Sequence, residues 1–401
     1  MIPLSTQTYG DAEIAAVLDV MKSGRFTMGE RTERFEAEFA EYIGAKHAVM
    51  VNSGSSANLL AITALCESGV LAHGDKVMVP ALTWSTGVWP VIQNGLVPIL
   101  VDCDPHTLQM SPEQLIAACD EHPDARAVFL AHIMGNPCDL KHIKTLADAR
   151  GMVLIEDCCE ALGAEWMGMK VGRFGALGTF SFYFSHHITT MEGGMVVTDN
   201  GDLADIMRSV RSHGWSRALT DERRTAIEAD NPRIDPRFLF VHQGYNLRPM
   251  EIQAAMGSVQ LKRLPEFNAR RAEAQESMRE MLRILPGVQP FDAYPEADPA
   301  WFAFPVTVQG DRARLMERLE VCGIQTRPIV AGNLAEHPAF KGKMLAHGGL
   351  EEATRIAREG LYWGLHPEIT RRHIRHLADV LASFFVPPQA APLGRHAEAG
   401  D

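Results

Sequence analysis

The sequence predicts an α/β protein whose larger part is a doubly wound, mostly parallel β-sheet with helices on both faces. Two observations support this fold class. Between residues 45 and 200, short apolar runs typical of buried strands alternate with helical segments. At 401 residues the chain is also longer than one hydrophobic core usually supports, so we expect a second, smaller lobe. Because ligands of such sheets bind beyond the carboxyl ends of the strands, the residues after each run are the first candidates for a site.

The elements of the larger part follow in order. Apolar runs predict strands at residues 47–52, 76–80, 97–102, 127–132, 152–157 and 195–198. The stretches between them predict helices, among them residues 56–67 and 111–121. This repeated alternation of strand and helix is what favours a parallel sheet.

The second half of the chain has a different pattern. A polar insertion at 219–237 predicts a loop or short helices, and a strongly helical pattern runs from Glu251 to a break at 285–299. Residues 302–308 and 327–330 predict strands of a smaller α/β lobe. We therefore expect a large domain at 1–255, a small C-terminal domain at 256–386, and a disordered tail at 387–401, which is rich in Pro, Ala and Gly.

Composition narrows the class of function. The net charge of -12 and the lack of a Lys/Arg block argue against a nucleic-acid partner. The N-terminus has no signal-peptide pattern and no run reaches the roughly 18 apolar residues of a membrane span, so we expect a cytoplasmic protein. The seven cysteines lack CxxC spacing, which indicates reduced thiols, and we predict no metal site. Six of the seven precede residue 160, so the second half cannot supply four cysteines to an iron–sulfur cluster.

Three features follow predicted strands. Residues 53–58, which include Gly54 and Ser55, form a turn of small residues before a helix, where free N–H groups would cradle a phosphate; the alternative is a simple capped helix. Asp157 ends an apolar strand, where it would hold a proton on a buried heteroaromatic nitrogen or merely cap a helix. Trp84 would stack on a flat ligand, or is a core residue.

The stretch 178–194, GTFSFYFSHHITTMEGG, makes these features specific. The order of phosphate turn, aromatic, Asp-x-x-Glu and Ser-Phe-x-x-x-[Lys]-x-Ile-x-x-x-Glu-Gly-Gly resembles the DegT/DnrJ/EryC1/StrS family of sugar aminotransferases. The resemblance extends from about residue 5 to 385 and includes the phrases FTMG at 26–29, GNP at 135–137 and GYNLRP at 244–249. It implies the aspartate-aminotransferase fold (fold type I) and the cofactor pyridoxal 5'-phosphate.

The sequence departs from the family at its central position, where His186 replaces the lysine that tethers the cofactor. No lysine lies between Lys170 and Lys262 to take its place. Imidazole cannot hold the cofactor aldehyde as a primary amine does, which favours the aminated form, pyridoxamine 5'-phosphate. A histidine titrates near ~6.5 and is suited to general-base work at neutral pH. The alternatives are a structural histidine and an inactive enzyme.

The resemblance implies a reaction. With SHHITTMEGG at 185–194 and HGW at 213–215, the chain is similar to the 3-dehydratases of 4-keto-6-deoxy nucleotide sugars, of the kind that acts on GDP-4-keto-6-deoxy-D-mannose in colitose and O-antigen biosynthesis. Glutamate is the implied amino donor, a homodimer with shared sites the implied assembly, and no iron–sulfur cluster is expected. An ordinary sugar aminotransferase and a non-catalytic nucleotide-sugar or cofactor-binding protein remain as rival hypotheses.

Roles carry over by position in the same way. The implied cofactor contacts are Asp157 at the pyridine nitrogen, Glu160 alongside it, Trp84 on the ring, Gly54, Ser55 and Ser181 at the phosphate, and Asn246 at the phosphate of the neighbouring subunit. His187 and His213 are substrate candidates or structural residues. Arg248 and Arg327 are candidates for binding anionic groups, with salt bridges as the alternative.

Overall fold

The computed structural model describes residues 1–385, so the predicted tail at 387–401 lies outside the described residues. The helices are α1 Asp11–Ser23, α2 Glu30–Ile43, α3 Gly54–Glu67, α4 Trp89–Gln93, α5 Pro112–Glu121, α6 Leu140–Ala149, α7 Gly201–Arg211, α8 Asp221–Asp230, α9 Glu251–Leu282, α10 Arg312–Val321, α11 Glu351–Glu359 and α12 Arg371–Phe385. The strands are β1 His47–Val51, β2 Lys76–Pro80, β3 Val97–Val101, β4 Ala125–Ala131, β5 Val153–Asp157, β6 Glu165–Trp166, β7 Met169–Lys170, β8 Leu177–Ser181, β9 Gly194–Thr198, β10 Val288–Pro290, β11 Ala297–Asp298, β12 Ala303–Val308, β13 Thr326–Pro328, β14 Leu345–Ala346 and β15 Gly360–Gly364.

The large sheet has the strand order β1-β9-β8-β5-β4-β2-β3-β14. Neighbours from β8 to β14 pair in parallel, whereas β9 is antiparallel to both β1 and β8. The predicted mostly parallel sheet is therefore confirmed. Since β1 and β8 both oppose β9, they run in the same direction, and the carboxyl ends of β1, β2, β4, β5 and β8 share one edge.

The strands are buried on both faces, which is why their sequences are continuous apolar runs. In β2, β3 and β5 every residue after the first is buried. One face packs against aromatic side chains of α2: the ring centroid of Phe39 lies 5.1 Å from that of Phe180 and 5.4 Å from that of Phe182. This double cover fixes the sheet and leaves only its edge available for ligands.

The predicted elements differ from the observed ones mainly at their ends. The strand at 76–80 has the predicted bounds, whereas the strand predicted at 127–132 begins at Ala125 and ends at Ala131. The insertion at 219–237 contains α8 and a short 3-10 turn, so short helices are the better of the two predicted descriptions. The helical pattern from Glu251 is one helix of 32 residues, and the predicted domain boundary at 255/256 lies inside it.

The C-terminal part has its own antiparallel sheet, with the strand order β10-β12-β15-β13. Its strand β15 lies between β12 and β13 and points residues such as Tyr362 towards the large sheet. Beyond this lobe, β14 returns to pair in parallel with β3 at the edge of the large sheet. Among the helices of residues 1–385, none combines the length and the apolar character that crossing a membrane requires.

Candidate active site

A cavity of about 400 Å³ opens at the carboxyl edge of the large sheet. Most of its walls come from the residues that follow β1, β2, β4, β5 and β8, and Phe302, Val330 and Tyr362 close it from the C-terminal part. The predicted site residues that line it are Gly54, Ser55, Trp84, Asp157, Glu160, Ser181 and His186. The fold therefore brings together seven of the predicted residues at the edge where such sheets bind ligands.

Asp157, the last residue of β5, is held rigidly at the cavity wall. Its Oδ2 accepts a hydrogen bond of 2.7 Å from the amide Nδ2 of Asn58, and its Oδ1 accepts one of 3.0 Å from the backbone N–H of Cys159. Asn58 is fixed in turn, because the hydroxyl of Thr179 donates to its Oδ1 at 2.6 Å. The donors orient both carboxylate oxygens of a side chain that is only 9% exposed.

Asn58 was missed by the sequence analysis. It is fully buried and stands in the second turn of α3, on the side of the helix that faces β5 and β8. Its position could have been recognised as a buried amide close after a phosphate-type turn, since a buried polar side chain needs hydrogen-bond partners.

The turn before α3 brings its backbone close to neighbouring groups and leaves N–H groups free for an anion. Ser53 caps the helix, with its hydroxyl accepting from the backbone N–H of Ser56 at 3.1 Å. A Cβ at Gly54 would lie 2.5 Å from the Cβ of Ser181 and 3.0 Å from the Sγ of Cys159, so no larger residue fits without displacement. The backbone N–H groups of the first turn lack partners within the helix, which makes this end an anion site.

Trp84 lies after β2 with 57% of its surface exposed, although it is one of the largest apolar side chains. It lines the cavity, so the alternative that it is a core residue is wrong. Exposing an indole on a cavity wall forgoes the stabilisation that burial would give. A flat ligand stacked on the ring would recover it.

The ring of His186 is oriented by a backbone carbonyl. Its Nδ1 lies 2.6 Å from the oxygen of Cys159. Because a carbonyl oxygen only accepts, Nδ1 carries the proton of the neutral ring and Nε2 keeps the free lone pair. Burial lowers the pKa of His186 to about 4, against the opposing effects of the Cys159 carbonyl and the Asp157 charge. The ring is therefore neutral, with one nitrogen ready to accept a proton.

Glu160 behaves as the second titrating group of the cavity. Burial raises the pKa of its carboxyl to about 7, and the charge of Asp157 adds to the effect, while a hydrogen bond of 2.7 Å from the backbone N–H of Met134 opposes it. The cavity thus pairs an acid that titrates near neutrality with a histidine that stays unprotonated there.

All four substrate candidates, His187, His213, Arg248 and Arg327, lie outside the walls of this cavity, as does Asn246. His187 is buried, with its Nε2 2.8 Å from the oxygen of Ala300. Asn246 is exposed and accepts a hydrogen bond of 3.0 Å from Arg248 Nε. His213 has a positive φ of 65° and packs its ring against Trp215, and Arg327 is exposed with Nη1 donating to the carbonyl of Thr326 at 2.7 Å.

Other residues at the cavity were not predicted. Phe302 places its ring centroid 5.2 Å from that of His186, and Tyr362 reaches the cavity from β15. His132 follows β4, where its Nδ1 accepts from the backbone N–H of Cys138 at 3.0 Å. No local motif marks these positions, because their place in the site depends on how distant strands pack.

One group of side chains, His132, Glu156 and Cys158, has metal-ligand types within 4.8 Å of one another. The carboxylate of Glu156, however, already accepts from three backbone N–H groups, those of Gly172, Phe174 and Gly175, at 2.7–2.8 Å. Those hydrogen bonds fix the loop between β7 and β8. They account for the buried carboxylate without an ion.

The groups at the cavity fit a flat heteroaromatic ring that carries a phosphate. A helix N-terminus bounded by Gly54 and Ser181 matches the anionic end, a fixed carboxylate at Asp157 matches a protonated ring nitrogen, and the exposed indole of Trp84 matches the ring face. These features are what pyridoxal 5'-phosphate requires.

Comparisons with known proteins agree with this geometry. The model of the DegT/DnrJ/EryC1/StrS aminotransferase family matches residues 7–382. The GDP-4-keto-6-deoxy-D-mannose 3-dehydratase of Yersinia pseudotuberculosis is 36% identical over 389 residues, which are 94% of this chain and 98% of that protein. The dTDP-3-amino-3,4,6-trideoxy-alpha-D-glucose transaminase of Streptomyces venezuelae is 31% identical over 372 residues, with 92% and 90% covered. A solved E. coli GDP-4-keto-6-deoxy-D-mannose-3-dehydratase with bound hydrated PLP superposes with a TM-score of 0.90 at 36% identity, over 95% of this chain and 99% of that one.

Proposed function

This chain belongs to the DegT/DnrJ/EryC1/StrS aminotransferase family, and from that premise we propose that it is a 3-dehydratase of a 4-keto-6-deoxy nucleotide sugar. The observation that carries the proposal is the neutral His186 in the cavity, at the position where the family resemblance places a lysine. The proposed substrate is GDP-4-keto-6-deoxy-D-mannose, on which two relatives at 36% identity are named as acting. The product is a 3,6-dideoxy-4-keto sugar.

The cofactor proposed for the cavity is pyridoxal 5'-phosphate in its aminated form. Gly54, Ser55 and Ser181 would hold its phosphate, Asp157 its ring nitrogen, and Trp84 its face. When bound, it supplies an amine that condenses with the substrate ketone and a ring that accepts electrons. Glutamate is the proposed donor that restores the amine, which agrees with a related dehydratase solved with a trapped PLP–glutamate adduct.

The chain's own residues move the proton. His186 Nε2 accepts the proton that the reaction releases, which requires a neutral ring, maintained by burial, in the tautomer that the Cys159 carbonyl fixes. The same nitrogen then gives a proton to the C3 hydroxyl as it leaves as water. A lysine in this position would instead tether the cofactor, so the exchange of an amine for an imidazole favours elimination over transamination.

A homodimer with shared sites is part of the proposal. Asn246 is exposed and lies outside the walls of the cavity in its own chain, which supports the proposal that it contacts the phosphate of a neighbouring subunit. Phe238 and Phe240, close by in sequence, are 62% and 52% exposed, and apolar side chains of this size are common at interfaces.

Product analysis after incubation with pyridoxamine 5'-phosphate, glutamate and GDP-4-keto-6-deoxy-D-mannose tests the function. A product one oxygen atom lighter than the substrate supports the dehydratase. Replacement of the ketone by an amine identifies an aminotransferase, and the absence of any product identifies a binding protein. The aminotransferase is the weaker candidate because no lysine is among the described residues that line the cavity.

A further inference from the structure

Val330, in the wall of the cavity, has a backbone conformation that a valine side chain disfavours. It lies two residues after β13 and has a φ of 43°. Among residues 1–385, eight residues other than glycine have a positive φ, and Val330 is the one of them with a β-branched side chain. A branched Cβ crowds the backbone in the left-handed region, so the conformation is strained. Glycine would adopt it without this cost.

The strain is imposed by residues that are fixed on both sides of the turn. Before it, Ile329 is fully buried in the core. After it, Asn333 is 4% exposed, and its Nδ2 donates to the hydroxyl of Thr354 in α11 at 2.9 Å. The backbone N–H of Leu334 donates to the carbonyl of Ala81 at 3.1 Å. Since only three residues remain between these anchors, the surroundings hold the turn in its strained form.

The same anchors tie Val330 to the loop that carries Trp84. This loop begins after β2 with Ala81 and Leu82, and Leu82 forms an antiparallel bridge with Asn333. Trp84 and Val330 both line the cavity. The position of the valine is therefore fixed relative to the indole that is proposed to cover the cofactor ring.

The wall that the C-terminal part gives to the cavity consists of two aromatic side chains and one aliphatic one, Phe302, Tyr362 and Val330. The residues proposed to hold the cofactor all follow strands of the large sheet, so this wall borders the space that remains for the sugar. A 4-keto-6-deoxy hexose carries hydroxyl groups, a ketone and one methyl group. The methyl group is the substituent that gains most from contact with an aliphatic side chain.

We propose that Val330 is a specificity-determining residue that contacts the methyl group of the 6-deoxy sugar and disfavours a hydroxyl group there. Two observations carry the proposal: the side chain lines the cavity, and it occupies a position where glycine would relieve the backbone strain. A hydroxyl pressed against an aliphatic wall loses hydrogen bonds to water, which is costly unless a partner replaces them. The inference rests on the proposed function in taking a 4-keto-6-deoxy nucleotide sugar as the substrate.

Binding of two unreactive nucleotide sugars tests the contact without turnover. GDP-6-deoxy-D-mannose and GDP-D-mannose both lack the C4 ketone and differ only in the hydroxyl group at C6. Their dissociation constants are measured by calorimetry on the full chain loaded with pyridoxamine 5'-phosphate. The wild type should bind the 6-deoxy sugar about 10- to 100-fold more tightly, which is the discrimination that a hydrophobic wall provides against one added hydroxyl group.

Two substitutions separate the side chain from the turn. Val330→Thr keeps the branched shape and puts a hydroxyl group at the wall, and Val330→Gly removes the side chain, so in both the preference for the 6-deoxy sugar should fall by about 10-fold. The melting temperature of Val330→Gly should stay close to that of wild type, because relief of the strain offsets the lost apolar contact and the greater freedom of the unfolded chain.

Met167→Gly is the matched control. Met167 also has a positive φ, 50°, but it is 72% exposed in the turn between β6 and β7 and lies outside the walls of the cavity. This variant should keep both the melting temperature and the sugar preference of wild type. A valine that serves only to build its turn would instead give a Val330→Gly protein with a lower melting temperature and an unchanged preference.

Two results would overturn the proposal: a wild type that binds the two sugars equally well, or a Val330 variant that retains the wild-type preference. If Val330→Gly does not fold, Val330→Thr decides alone, because it keeps the shape of valine. Binding of both sugars without discrimination removes this inference and leaves the proposed function standing. If the wild type binds neither sugar, the proposed function fails and this inference fails with it.

Discussion

Replacing Asn58 by alanine tests how Asp157 is held. The buried amide makes three hydrogen bonds: Nδ2 donates to Asp157 at 2.7 Å and to the carbonyl of Thr86 at 3.1 Å, and Oδ1 accepts from Thr179 at 2.6 Å. Alanine leaves a buried carboxylate oxygen and a buried hydroxyl without these partners. A hydrogen bond to a charged group contributes about 1.5–3 kcal/mol and a neutral one about 1 kcal/mol, so the free energy of unfolding should fall by roughly 3 kcal/mol.

A nearly isosteric change, Asn58→Asp, separates charge from packing. It puts a second carboxylate against Asp157, and two carboxylates that share a site cannot both ionise easily, so one of their pKa values is strongly raised. A carboxyl whose pKa is higher in the folded than in the unfolded state contributes stability below the unfolded value, and this is lost as pH rises through the folded value. We therefore expect Asn58→Asp to be increasingly destabilised relative to wild type as pH rises from about 4.

The assay is urea unfolding of the apoprotein between pH 5 and 8, with cofactor affinity measured in parallel. Asn94→Ala is the matched control, since Asn94 makes its two side-chain hydrogen bonds to neutral partners, Thr63 and Pro90. Its loss should cost about 1–2 kcal/mol at every pH. If Asn58→Ala is no more destabilised than Asn94→Ala, and Asn58→Asp shows no pH dependence, then Asn58 does not orient the carboxylate as the geometry indicates.

Three further outcomes are expected. His186→Lys should lower dehydration by about 10²–10⁴-fold and give a covalent lysine–cofactor adduct, visible by absorbance and by mass after reduction; unchanged dehydration would show that His186 is not the base. Gly54→Ala should cost about 1–3 kcal/mol by overpacking against Ser181 and weaken pyridoxamine phosphate binding, both readable from melting curves with and without the cofactor; equal cofactor affinity would contradict a phosphate site there. The free energy of unfolding of Glu160→Gln should rise relative to that of wild type as pH rises from 4.5 through 7. Over that range the wild type loses the stability that its raised Glu160 pKa gives at lower pH, whereas glutamine does not ionise; parallel pH–stability curves would contradict this.

Local patterns predicted those parts of the fold and site that local sequence determines. Strands buried on both faces are continuous apolar runs, so β2 and β5 could be located to within a residue at either end. The groups that follow parallel strands meet at one edge, which is why Gly54, Trp84 and Asp157 could be placed in one site before any distance was known.

What could not be predicted depends on contacts between distant parts of the chain. Asn58 is functional only because β5 and β8 put Asp157 and Thr179 beside α3. Pairing of β14 with β3 joins residues more than two hundred positions apart, and β14 has only two residues, too few to show a strand pattern. Nothing local distinguishes Arg271 from the other arginines of α9, since its hydrogen-bond acceptors are the carbonyls of Phe302 and Leu365, which are distant in sequence.

These distant contacts also explain why a histidine at position 186 can act as a base. An imidazole beside Asp157 and Glu160 would ordinarily gain a proton and lose its use as a base. Here the Cys159 carbonyl fixes the tautomer, and burial keeps the ring neutral. The same surroundings bear on the reverse change, because desolvation lowers the pKa of a lysine and so favours the free amine that reacts with an aldehyde. A lysine at 186 should thus bind the cofactor readily while lacking the proton transfer that elimination needs, which makes tethering and dehydration separable in one variant.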